Sequence, residues 1–173
     1  MEENNCPSTQ SLSKREQLLL SILDDAADSE GQLLGRMKLM KLVFFSEYWQ
    51  DNEGQLTSEK QLGGFDDFKI YKYGPFSEKL LHTFDSLKNL DLVREQEQMY
   101  GPTQINLTES GHKVAKDVRD HFSTDEKRQL YQITSTFGDK DGNELEEESL
   151  DRLGITREEK SNHQGRSVEN LIA

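Results

Sequence analysis

The sequence has a single cysteine and no long hydrophobic run. Cys6 lies in a polar N-terminal stretch, and one cysteine excludes an intrachain disulfide. No apolar segment approaches the roughly 18 residues of a membrane-spanning helix, and the N-terminus lacks the apolar region of a signal peptide. We therefore expect neither a membrane protein nor a secreted precursor, and a cytoplasmic location is the default.

Positive charge is also scarce. The 173 residues include 21 Lys and Arg against 33 Asp and Glu, which gives a net charge of -12. The acidic excess lies at both ends, while the apolar middle of the chain is close to neutral. Because binding to DNA phosphates depends on clustered cations, the overall field opposes nonspecific nucleic-acid binding, although a local basic face stays open. The acidity is compatible with a basic protein partner or simply with solubility.

Hydrophobic residues make up 32% of the chain, and they are unevenly distributed. Large apolar side chains are concentrated between residues 33 and 93, become sparse after residue 138, and are nearly absent before residue 12. This distribution predicts a disordered leader over residues 1–11, one folded domain over residues 12–137, and an acidic, weakly ordered extension over residues 138–173. We expect the extension to be dispensable for folding.

Apolar periodicity and capping residues predict the order of the secondary structure. Helices are expected near 13–27 and 34–50, after Ser77, after Thr108, after Thr124, and over the acidic stretch 144–153. A strand is expected over 65–73 and a hairpin over 92–107, with a loop at 51–64. This order predicts an α+β fold, a mostly helical, winged helix-turn-helix-like domain with a small β-hairpin wing and extra C-terminal helices. The helix after Ser77 would take the place of a recognition helix.

No residue pattern indicates a metal site, a cofactor or an enzyme. The four histidines, His82, His112, His121 and His163, do not pair at helical spacing, and none has a cysteine nearby. Residues 139–148 resemble part of an EF-hand loop, but its first ligand position would be Phe137, so a turn between two helices is favoured. Neither a nucleophile elbow nor a P-loop occurs. We expect a protein that is not an enzyme.

A binding surface has better support than a catalytic site. If residues 65–73 form a strand, Lys69, Tyr71 and Tyr73 share one face and Lys72 lies on the other. Phe76 follows the Gly-Pro turn, and Lys79 and His82 lie on the next helix. Aromatic rings and cations at such a corner suit phosphate or an acidic or aromatic partner. A solvated helix face above ordinary aromatic packing explains the same residues equally well.

Two segments resemble a known family. Met37-Lys38-Leu39-Met40-Lys41-Leu42-Val43-Phe44-Phe45 is similar to the K-L-x-K-L-x-Y-F helix of the phage-associated Panacea domain and of YwgA-like bacterial and archaeal proteins. Tyr73-Gly74-Pro75-Phe76-Ser77-Glu78 resembles their Y-G-P-[YF]-S entry into the following helix. The likeness covers about residues 33–137. Panacea proteins are antitoxins that neutralise toxins by binding them, whereas the YwgA-like group has no settled function. The resemblance to the Panacea domain implies an antitoxin, and neither resemblance brings catalytic residues. The acidic segment after residue 138 departs from the pattern.

Two functional classes remain open at this point. The first is a non-catalytic winged-helix module that acts by protein binding, either antitoxin-like or regulatory. The alternative is a dimeric DNA-binding transcription regulator, and a homodimer is compatible with both classes. We favour the protein-binding class, because the net charge opposes DNA binding and the resemblance points to a protein partner.

Overall fold

The computed structural model describes residue 8 and residues 11–27, 31–50 and 54–172. Most of the predicted leader lies outside these ranges. The helices within them are α1 (Lys14–Ala26), α2 (Arg36–Tyr48), α3 (Glu78–Asn89), α4 (Glu109–Arg119), α5 (Thr124–Phe137) and α6 (Gly142–Leu153). The strands are β1 (Gln32–Leu34), β2 (Trp49–Gln50), β3 (Gln55–Leu56), β4 (Lys69–Tyr71), β5 (Gly74–Phe76), β6 (Val93–Gln96) and β7 (Gln104–Leu107). The prediction of a mostly helical α+β fold is confirmed.

Hydroxyl side chains begin most of the helices. At Ser13, Ser77 and Thr108 the side-chain oxygen accepts the backbone N–H three residues later, as the sequence predicted. The cap of the fifth helix is Ser123 and not Thr124. The physical reason is Glu126, which stands three residues after Ser123 and completes a capping box with it.

Helix α2 lies at the centre of the core. Every residue from Leu39 to Tyr48 is buried, as expected for a helix that is apolar on nearly all sides. Helices α1, α5 and α6 pack around it. The ring of Phe45 stacks on that of Phe137 at 4.1 Å between centroids, which ties α2 to the end of α5. None of the helices in the described ranges is both long and apolar enough to cross a membrane.

Three small antiparallel sheets pack around this helical core. The first is a three-stranded sheet in the order β1-β7-β6, and it contains the predicted hairpin of β6 and β7. The second pairs β2, at the end of the helix predicted over 34–50, with β3, in the segment predicted to be a loop. The third pairs β4 with β5 across the two-residue turn Lys72-Tyr73. The predicted strand over 65–73 therefore stops at Tyr71, because the chain reverses there.

Residues 138–173 differ from the expectation of a weakly ordered extension. Helix α6 packs on α2, and its apolar side chains Leu145, Leu150 and Leu153 are buried. Asp141 caps the helix at one end, and Gly154, with a φ of 72°, ends it at the other. The low apolar content of this segment does not prevent it from docking, because three of its leucines lie in α6 and are buried, and Ile155 and Val168 beyond the helix are buried as well.

Shortening one of these leucines tests whether α6 contributes to the stability of the domain. Leu150 is 1% exposed, so Leu150→Ala should lower the free energy of unfolding by about 2–5 kcal/mol. Asp151→Ala, at an exposed position one residue later, should change it by about 0.5 kcal/mol or less. Urea unfolding of both variants measures the difference. Equal midpoints for the two variants would contradict a docked α6.

A buried carboxyl on α2 holds the loop that precedes β4. Oε2 of Glu47 accepts the backbone N–H groups of Gly64 and Phe65, each at 3.1 Å. Oε1 of the same group is buried and has no hydrogen-bond partner among the residues that the structure describes. Burial raises the pKa of Glu47 to about 7, although both backbone hydrogen bonds act in the opposite direction. The folded protein therefore binds a proton at Glu47 more tightly than the unfolded chain does.

This raised pKa makes stability depend on pH in a defined window. The contribution of Glu47 to the free energy of unfolding falls as pH rises from the ordinary pKa of 4.5 to about 7. Glu47→Gln keeps a neutral acceptor for both N–H groups. Relative to the wild type, its free energy of unfolding should therefore rise by about 2–3 kcal/mol between pH 5 and pH 8. Denaturant unfolding at both pH values measures this change, and the exposed Glu59→Gln should show none. Parallel pH curves for Glu47→Gln and the wild type would refute the assignment.

Candidate functional site

The two segments that carry the family resemblance meet in space. Nζ of Lys41, on α2, donates a hydrogen bond of 2.8 Å to the carbonyl oxygen of Pro75, in β5. The backbone N–H of Ser77 lies 3.2 Å from the sulfur of Met40, also on α2. These contacts attach the β4–β5 hairpin to the central helix and fix where α3 begins.

The sequence of the hairpin explains its tight turn. Gly74 has a φ of 84°, in a region that side chains other than glycine rarely adopt, and it follows the turn residues Lys72 and Tyr73. Pro75 lacks an N–H group, so it suits an edge strand whose outer side needs no donor. The carbonyl oxygen of Pro75 is left to accept the hydrogen bond from Lys41.

The turn changes which predicted site residues lie together. Strand alternation placed Lys72 on the face opposite Tyr71 and Tyr73, and this is wrong, because Lys72 and Tyr73 lie in the turn itself. The ammonium of Lys72 lies 5.2 Å from the centre of the Tyr73 ring, which is 53% exposed. The Tyr71 ring meets the Phe76 ring edge to face at 5.3 Å. We call Tyr71, Lys72, Tyr73 and Phe76 the hairpin surface.

A groove of about 230 Å³ opens on the hairpin surface. Its lining is Lys41, Tyr71, Lys72, Tyr73, Gly74 and Phe76. Lys41 is 2% exposed, and the part of the chain that the structure describes offers it no carboxylate within 4.0 Å. Burial lowers the pKa of Lys41 to about 7, and Lys160 acts in the same direction, while Glu146 opposes them.

A second groove, of about 560 Å³, continues from the hairpin surface toward α6. Glu146 lines it, is 4% exposed, and pairs with Lys160 at 2.7 Å. Arg157 lines the same groove and pairs with Glu147 at 3.4 Å. Glu146, Lys160 and Arg157 of this second groove are thus each paired with a group of opposite charge.

The remaining predicted site residues lie elsewhere. Lys79 and His82, on α3, line a separate groove of about 500 Å³ beside Asp67. Lys79 is engaged there by a salt bridge of 2.6 Å to Asp66. Lys69 is exposed at the far end of β4, opposite Phe76 in the ladder. The seven residues that the sequence singled out therefore do not form one site.

Sequence reasoning missed Lys41 as a site residue. The sequence pattern predicted a helix that is apolar on nearly all sides. A lysine among Leu39, Met40 and Leu42 nevertheless indicates a buried polar contact. A charged side chain inside a buried helix needs a polar partner, and the sequence could not show which one it meets. The structure places Lys41 beneath the hairpin, at the floor of the 230 Å³ groove.

Basic side chains near α3 form ion pairs with acidic side chains. Glu95 accepts hydrogen bonds from Arg36 at 2.6 Å and from Lys88 at 3.2 Å. The hydrogen bond from Arg36 lowers the pKa of Glu95 to about 2, which keeps this carboxylate ionised. The face of α3 that the sequence offered for phosphate contacts is therefore largely neutral.

No group of three or more His, Cys, Asp or Glu side chains in the described ranges is arranged to hold a metal ion. Within the stretch that resembles part of a calcium loop, residues 139–141 form the turn between α5 and α6, and the rest lies in α6. There the carboxylate of Asp141 accepts the backbone N–H of Glu144 and caps the helix. The interpretation of this segment as a turn between two helices is confirmed.

One comparison with known proteins gives a match. The family model of the SocA-like antitoxin, Panacea domain, matches residues 39–152, whereas no curated protein and no solved structure matches the chain. The matched range begins in α2 and ends in α6, so it includes Lys41, the hairpin surface and the whole lining of the 230 Å³ groove. It covers well over half of the 173 residues. The chain therefore belongs to the SocA-like antitoxin family, defined by the Panacea domain.

Proposed function

We propose that this protein is an antitoxin that neutralises a toxin protein by binding it, without a chemical step of its own. Membership of a family of SocA-like antitoxins, which are typically non-catalytic, supports this role. The observation that carries the proposal is the hairpin surface, a group of aromatic rings beside a lysine within the family-matched range. We assign the toxin contact to this surface.

The composition of the hairpin surface suits a protein interface. Tyr73 is 53% exposed, and it lines the 230 Å³ groove together with Tyr71 and Phe76. Tyrosine is among the residues that contribute most binding energy at interfaces, because it buries a large ring while its hydroxyl keeps a polar partner. An exposed tyrosine at the rim of a groove fits an anchor for a partner chain.

The attachment of the hairpin to the core also favours binding. Lys41 and Met40 hold Pro75 and Ser77 from beneath, and these contacts restrain the backbone on which the aromatic rings stand. A surface that is already ordered loses less conformational entropy when a partner binds. We expect the hairpin to keep its shape in the complex.

The order of elements supports a winged-helix interpretation of residues 14–107. Helix α3 is followed by the β6–β7 hairpin, and β1 completes the sheet in the order β1-β7-β6. Winged helices bind both DNA and proteins, so the fold alone does not select the partner. On α3, Lys79 pairs with Asp66 and Lys88 pairs with Glu95. These lysines have acidic partners already, which favours a protein partner over DNA phosphates.

Growth rescue tests the proposed role. The full chain is co-expressed with the product of the adjacent gene, which we expect to be toxic when expressed alone. Wild-type protein should restore growth and co-purify with that product. Tyr73→Ala should abolish rescue and weaken binding at least about tenfold, as expected for an interface anchor. Tyr131→Ala removes a ring on α5 that is 68% exposed, more than Tyr73, and should leave rescue intact.

Three results would contradict the proposal. The first is full rescue by Tyr73→Ala, which would place the contact elsewhere. The second is a neighbouring product that neither arrests growth nor binds. The third is submicromolar, sequence-selective DNA binding at about 150 mM salt, with an affinity that falls steeply as salt increases, which would favour the regulator class.

A further inference from the structure

Lys41 has fewer partners than a buried ammonium group needs. A lysine ammonium has three N–H donors, and among the described residues Nζ has one hydrogen-bond partner, the carbonyl oxygen of Pro75. Lys41 is only 2% exposed, so little of its side chain meets bulk solvent. A buried charge without a counterion is unfavourable, and such a group gains from any carboxylate that reaches it.

The nearest acidic group is already engaged. Glu146 raises the pKa of Lys41 through its charge, but its carboxylate makes a salt bridge of 2.7 Å with Lys160. Lys41 itself forms no ion pair within 4.0 Å in the part of the chain that the structure describes. The domain thus places a buried lysine at the floor of an open groove, and no carboxylate of the described residues forms an ion pair with it.

The surroundings of the groove favour a negative ligand. Residues 68–77 contain two lysines and no acidic residue, although the whole chain has a net charge of -12. Lys72 lines the rim, and the other lining side chains above Lys41 are aromatic. The volume of about 230 Å³ is several times the roughly 30 Å³ share of one water molecule, so a side chain has room to enter.

We propose that this groove receives an aspartate or glutamate side chain of the toxin, whose carboxylate pairs with Lys41 while neighbouring apolar atoms lie on the rings of Tyr71, Tyr73 and Phe76. This rests on the proposed function and adds the chemistry of the anchor to it. The charge of the hairpin selects an acidic side chain, and the aromatic rim selects an apolar residue beside it.

The protonation of Lys41 gives the proposal a pH signature. The groups that face Lys41 are Glu146 on α6, Lys160 in the 3₁₀ turn Lys160–His163, and Tyr71 and Lys72 on the hairpin. Because the pKa of Lys41 is about 7, its charged form predominates below neutral pH. Affinity for a carboxylate should therefore be highest near pH 6 and fall as pH rises. Binding should also take up a proton near pH 7, since a bound carboxylate favours the charged amine.

Two peptide libraries test the anchor without knowledge of the toxin. Both consist of pentapeptides blocked at the two termini, with Ala, Leu, Phe and Ser varied around a fixed central residue, which is Glu in one library and Gln in the other. The blocked ends exclude a terminal carboxylate as the ligand. Each library is titrated into the full chain and followed by the backbone amide NMR signals of residues 69–77. The Glu library should bind about tenfold more tightly at pH 6, as expected for a charge-assisted hydrogen bond.

Variants connect this preference to Lys41. Lys41→Met should remove the preference for Glu, whereas Lys79→Met, at a lysine in the separate groove on α3, should keep it. Thermal unfolding establishes that both variants are folded. If Lys41→Met does not fold, the decision rests on the wild-type protein, in which the preference for Glu must fall at least about threefold between pH 6 and pH 8.

The outcomes separate this inference from the proposed function. Equal binding of the two libraries, no binding of either, a preference independent of pH, or a preference kept by Lys41→Met would each overturn the acidic anchor. The growth-rescue result with Tyr73→Ala stands independently of these titrations. Rescue without a preference for Glu would refute the anchor alone, and a Glu preference without rescue would refute the toxin-binding role alone.

Discussion

The hydrogen bond from Lys41 to the carbonyl oxygen of Pro75 joins the two parts of the domain that matter most for its function. One end belongs to the central helix, around which three other helices pack, and the other end belongs to the hairpin that carries the exposed aromatic rings. A buried amine must find an acceptor. This requirement places the hairpin over α2, and the Ser77 cap then sets the start of α3.

Among the described residues, this hydrogen bond uses one of the three N–H donors of the Lys41 ammonium group. A ligand that accepts the others would stabilise the domain as it binds. Lys41 is almost fully buried, so its charge costs free energy in the unbound protein. A methionine at this position would fill the space without that cost. A carboxylate from a partner would offset the cost of burying the lysine. The hairpin has no acidic residue that would repel such a carboxylate.

The lysines near α3 are paired with carboxylates, whereas Lys72 at the hairpin is not, among the residues that the structure describes. Near α3, the carboxylates of Asp66 and Glu95 pair with the lysines that phosphates would need. At the hairpin, Lys72 lies against the ring of Tyr73 and has no acidic neighbour within 4.0 Å in the described ranges. A protein with a strongly negative net charge thus keeps one small region with the opposite sign, which favours a specific contact over nonspecific adhesion.

Local interactions determined the part of this protein that could be predicted from its sequence. Capping hydroxyls at Ser13, Ser77 and Thr108, the apolar α2 and the β6–β7 hairpin all depend on residues close together in the chain, so pattern and propensity were sufficient. Tertiary structure alone decided two other features: the docking of α6, and the position of Lys41 beneath Pro75. The reason is physical, since each of these depends on partners far apart in the chain, and the free energy of burying one group against another is set by packing that no local pattern contains.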